Sequence, residues 1–159
     1  MHFILMIFCC LLLASRCAGP PPSNHVRACN LNPKKILLQS SSSRYVRLAD
    51  QAPFLLIADA KHPALADTFC LCNLEHNRIS LRAKRRYVTI HLSKNNQAIA
   101  RQKHIDSWER INLEKKGDQV TFKAINDYYL EPSDSSFILA ASSPQPSSNC
   151  LFNIIELRN

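Results

Sequence analysis

Five cations stand within nine residues at Arg78, Arg82, Lys84, Arg85 and Arg86, and Lys94, Arg101 and Lys103 follow in the same stretch. Guanidinium and ammonium groups held at that density donate charge-assisted hydrogen bonds to sulfates and carboxylates. The chemistry this predicts is binding of acidic extracellular glycans, of which heparan sulfate is the natural candidate, or of a cell-surface receptor. Solvated charge on an exposed turn is the plain alternative. A nucleic-acid partner would require aromatic side chains beside the cations, and Tyr87 alone stands there.

The remaining chemistry-bearing residues are sparse. His25, His62, His76, His91 and His104 lack the spacing of a metal site, and no nucleophile elbow or cysteine-protease signature is present. No enzyme activity, metal or cofactor is expected. The segment Arg82-Ala83-Lys84-Arg85 has the dibasic form that secretory convertases cleave, although a tight turn resists the extended shape a protease needs.

Residues 1–18, MHFILMIFCCLLLASRCA, are apolar and end in small residues, the pattern of a secretory signal peptide with cleavage after Ala18. Secretion into an oxidising, extracellular setting follows. Removal takes Arg16, Cys9, Cys10 and Cys17, so the mature chain carries 19 basic against 12 acidic residues, about +7 by formal count. It retains Cys29, Cys70, Cys72 and Cys150 as disulfide candidates. Cys70 and Cys72 point the same way along a strand and make the poorest pair. Cys29 is expected to pair with Cys150 or with one of the other two. Residues 19–33, led by Pro20 to Pro22, form a flexible lead-in. No Asn-x-Ser/Thr sequon occurs.

These residues must be positioned by a repeating scaffold. Tyr45, Tyr87 and Tyr129 lie 42 residues apart, ending ILLQSSSSRY, ISLRAKRRY and VTFKAINDYY. Small apolar runs centred on Ala58, Ala100 and Ala140 follow, and FCLCNLE, WERINLE and CLFNIIE close the units at Glu75, Glu114 and Glu156. Alternating apolar and polar residues predict strands, and a period of this length predicts one architecture built three times. Four strands per unit give an all-β β-trefoil: a six-stranded barrel capped by three hairpins, with three pseudo-symmetric four-stranded repeats of about 42 residues. The domain spans 34–159, with units near 34–77, 78–118 and 119–157. Phe69, Trp108 and their equivalents are expected in the shared core. With only two glycines, Gly19 and Gly117, the turns fall to Asn, Asp and Ser.

The runs IARQKHIDSWERINLE (99–114) and QVTFKAINDYYLEP (119–132) resemble the fascin-like, or actin-crosslinking-like, β-trefoil superfamily, with Asp106 and Asp127 at positions where that pattern has glycine. Fascin-type trefoils that bundle actin are cytosolic and act through tandem domains, so actin is not an expected partner of one secreted domain. Residues 120–152 are also similar to part of the fibroblast growth factors, with Asn149, Cys150 and Phe152 fitting and Phe137 replacing a glycine. That likeness implies a growth-factor-like or cytokine-like ligand as the alternative function. A lectin or protease inhibitor is a further one, but the Q-x-W of ricin-type lectins is missing at Trp108. A monomer without a transmembrane segment is expected.

Overall fold

The computed structural model describes Cys29 and residues 33–158. The expected signal peptide and nearly all of the lead-in lie outside the described residues. Twelve strands follow in chain order: β1 (Lys34–Ser40), β2 (Tyr45–Leu48), β3 (Phe54–Ala60), β4 (Phe69–Asn73), β5 (Arg78–Ala83), β6 (Arg86–His91), β7 (Gln97–Gln102), β8 (Ile111–Lys116), β9 (Gln119–Lys123), β10 (Tyr129–Pro132), β11 (Leu139–Ser143) and β12 (Phe152–Glu156). Among the described residues the only helical pieces are 3-10 turns such as Pro63–Leu65 and Ser107–Glu109, and no helix is long and apolar enough to cross a membrane.

Strand alternation decides which side chains go inward. In β3, Leu56, Ala58 and Ala60 are buried while Leu55, Ile57 and Asp59 between them are half-buried. Such period-two burial fits a sheet packed on one face. Antiparallel pairing runs β1–β4, β4–β5, β5–β8, β8–β9, β9–β12 and back from β12 to β1, closing a six-stranded barrel. The hairpins β2–β3, β6–β7 and β10–β11 cap it. They also pair with each other, Phe54 with Ala100, Ala140 with Gln97 and Ile57 with Ile138. One continuous core unites barrel and cap, with Phe69, Ile111 and Phe152 each fully buried at the start of a barrel strand. Phe122 and Phe152 meet as a tilted aromatic pair at 5.4 Å. Each such side chain contributes about 1.5–3 kcal/mol through burial.

One expectation about the core is corrected. Trp108 is 37% exposed on its 3-10 turn, and Ile111 occupies the core position instead. The cause is local: Glu109, next to Trp108, turns inward and accepts from the Asp106 backbone N–H at 2.8 Å, completing a capping box that leaves the indole outside. On β11, Ala141 is fully buried and Ala140 half-buried.

Cysteine chemistry resolves to one pairing. Cys29 is bonded to Cys72, and the bridge packs with Tyr87 and Ile105 beside the barrel. Cys70 and Cys150 remain thiols, which excludes the alternative of Cys29 with Cys150. Cys150 lies buried at the end of the 3-10 turn Ser148–Cys150, 3.9 Å from Glu131 Oε2 on β10, whereas Cys70 lies beside Cys72 on β4.

Candidate functional site

The β5–β6 connection is the shortest a hairpin allows. Ala83 pairs with Arg86, leaving Lys84 and Arg85 as a two-residue turn with φ of 46° and 62°. Left-handed φ at both positions matches the twist of the flanking strands. Two long cationic side chains stand where Asn-Gly is usual, at about 1–2 kcal/mol per residue. Pairing across the hairpins therefore holds the tip against its own preference.

The eight cations are not one patch. Arg78 opens β5, at the opposite end of the strand from the turn, and pairs through its backbone with Asn112. The Arg82 guanidinium lies over the Tyr87 ring at 6.0 Å. Lys84 lies 5.4 Å from the Phe54 ring centroid and 3.9 Å from Asp67, which partly offsets its charge. Arg85 and Lys103 are exposed, the latter on the loop after β7.

Arg86, Lys94 and Arg101 do converge. They line an open groove of about 600 Å³ whose apolar wall is Pro53, Phe54, Ile99 and Ala100, with His91 and Gln97 on its polar side. Arg86 Nη1 donates to the Arg101 carbonyl at 3.2 Å, so one cation is tied to the strand that carries the other. Arg101 Nη1 in turn meets His91 Nε2 at 2.8 Å. The groove lies where β3 pairs with β7, Phe54 against Ala100, so the apolar wall is shared between the two strands, while β6, β7 and the turn between them supply the charge. This size suits a small ligand, and an apolar wall beside a few convergent polar groups is the usual make-up of such sites. Chemically it can hold an anionic group at the cations while a ring or chain covers the wall.

Pro53, Phe54 and His91 were absent from the sequence-based site. Phe54 reaches the groove through a contact between two caps, which no local pattern signals. His91 closes β6 after four buried residues, the one local hint. Among the described residues, no three His, Cys, Asp or Glu side chains gather as metal ligands would.

No protein-family model matches the chain, and no characterised protein matches it in sequence. Among solved structures, the designed threefold-symmetric protein ThreeFoil aligns with a TM-score of 0.65 at 10% identity, over 77% of this chain and 99% of that one. The BEL β-trefoil aligns at 0.64 and 8% identity, over 78% and 93%. The chain is a β-trefoil. A GlcNAcα1-4Gal-releasing endo-β-galactosidase from Clostridium perfringens contains a similar region, with a TM-score of 0.63 and 9% identity over 79% of this chain and 33% of the enzyme. At such identities the likeness is one of fold, and the trefoil's function must be argued from its own side chains.

Proposed function

We propose that the chain is a secreted, non-catalytic binding module, built of three repeats of about 42 residues, that attaches to acidic extracellular glycans through the second capping hairpin. The observation that carries this reading is the convergence of Arg86, Lys94 and Arg101 on a single groove beside the apolar wall of Pro53 and Phe54. A merely solvated set of charges has no reason to brace its members, yet Arg86 and Arg101 are each hydrogen-bonded in place. A sugar ring placed on the wall would bring its carboxylate or sulfate to the guanidiniums, while Arg85 and Lys103 add longer-range attraction. A net charge of +8 over the whole chain favours the same partners.

Elution from immobilised heparin compared with a cation exchanger tests this. The protein should leave heparin at clearly higher salt than the exchanger, and changing Arg86, Lys94 and Arg101 together to Ala should erase the difference. Changing Lys84 and Arg85 should lower both elution points alike. Equal salt on the two columns for the unaltered protein would reject the glycan reading and direct attention to a receptor.

A further inference from the structure

Arg78 stands apart from the groove, and its surroundings form a second site. A hollow of about 360 Å³ is lined by His76, Arg78, Arg110, Asn112, Ile125 and Asp127. Three stretches build it: the turn between β4 and β5, the start of β8, and the turn between β9 and β10. Within the size range of small-ligand pockets, it offers two guanidiniums, an imidazole and an amide on its polar walls.

Two features set it apart from ordinary surface charge. Arg110 Nε is shut off from solvent and has no hydrogen-bond partner among the described residues. A buried donor left unmade costs about 1–3 kcal/mol, which a small turn of the Arg110 side chain toward an anion in the hollow would recover. The Arg78 guanidinium likewise has no hydrogen bond or ion pair among the described residues, although it borders both this hollow and a neighbouring one shared with Lys115. The carboxylate in the lining does not neutralise the pair: Asp127 is 83% exposed and bound by Lys123 at 2.9 Å. Ile125, 44% exposed, supplies an apolar wall on which a small body can rest.

We propose that this hollow is a binding site for a small molecule carrying one tetrahedral oxyanion, a sulfate or phosphate monoester. The oxyanion accepts from Arg78 and Arg110, Asn112 and His76 offer further donors, and the carbon skeleton lies against Ile125. Forked guanidiniums match such oxygens in pairs, which a lysine does not do. The site is separate from the groove and stands whether or not the groove binds glycans.

The test is a titration of the folded protein with glucose 6-sulfate, glucose 6-phosphate and glucose, followed through the arginine Nε–H resonances. Saturable movement of the Arg110 signal with the sulfate, the phosphate or both, but not with glucose, is the expected result, and the two esters identify which oxyanion is preferred. Arg78→Ala should weaken the binding at least tenfold, and Arg101→Ala should leave it unchanged. Should Arg78→Ala fail to fold, Arg78→Lys keeps the charge and should still lose most of the affinity. An Arg110 signal that does not move with either ester, moves equally with glucose, or responds unchanged in the folded Arg78 variant overturns the proposal.

Discussion

Arg101 Nη1 lies 2.8 Å from His91 Nε2, and Ser93 Oγ lies 3.1 Å from the other ring nitrogen. A guanidinium only donates, so His91 accepts at Nε2 and keeps its proton at Nδ1, toward Ser93. The neutral imidazole thus acts as a strut for a cation. Replacing His91 by Phe preserves the groove's formal charge but frees Arg101, and should weaken binding of a heparin oligosaccharide by about 1 kcal/mol, roughly fivefold in Kd. Calorimetric titration of both proteins reads this directly. An unchanged Kd would mean that Arg101 is positioned without the ring.

The Cys29–Cys72 bridge spans 43 residues of chain and ties the lead-in to β4. Cys72→Ser should lower the unfolding free energy by about 2–4 kcal/mol through the greater freedom of the unfolded chain. Cys70→Ser should leave the stability gap between oxidised and reduced protein intact. Urea unfolding with and without reductant checks both, and a Cys70→Ser protein indifferent to reductant would reassign the bridge.

Phe122 and Trp108 are expected to respond in opposite measure to truncation. Phe122 is 1% exposed and meets Phe152, so Phe122→Ala should cost about 3–5 kcal/mol, transfer and cavity together. Trp108→Ala should cost about 1 kcal/mol, as is usual for a position outside the core. Chemical denaturation of the two variants would show whether the larger aromatic is indeed the less important.

Tyr129 gives the stability an alkaline limit. Burial, and after it the hydrogen bond from its hydroxyl to Glu114 Oε2 at 3.2 Å, raises the phenol above its ordinary value, against the opposing pull of Lys123. In the unfolded chain Tyr129 ionises near pH ~10, whereas the folded protein holds the proton longer. The contribution is therefore complete below the unfolded value and is lost as pH rises through the folded one. Tyr129→Phe should flatten the fall in unfolding free energy above about pH 10. An identical slope in wild type and variant would assign that fall to other groups.

The sequence reveals the scaffold better than the site, for a physical reason. Strands such as β2, with buried Val46 and Leu48 alternating with half-buried Tyr45 and Arg47, state their inward face locally. Of the positions that resemblance marks for glycine, Asp127 and Phe137 adopt left-handed φ, 66° and 56°, whereas Asp106 is extended at −113°. Phe137 is held there by backbone hydrogen bonds to Ser133 and from Ala58, with the Arg44 guanidinium 5.2 Å from its ring. The groove was not legible because it depends on the Phe54 to Ala100 pairing between two hairpins that are far apart in sequence. Eight cations close in sequence looked like one patch, yet β5 carries Arg78 to one end and the Lys84–Arg85 turn to the other. Trp108 misled because the capping box of Asp106 and Glu109 outcompetes the indole for the interior.

Every one of the twelve strands pairs with at least two others, since the barrel closes and its three caps pair with each other. Unpaired strand edges are the usual templates on which one chain recruits another into fibrils. A protein that crowds onto a charged matrix is concentrated at the very place where such recruitment would do most harm. Bound to acidic glycans as proposed, a chain whose strands are paired on both sides would offer few open edges through which one molecule could recruit the next.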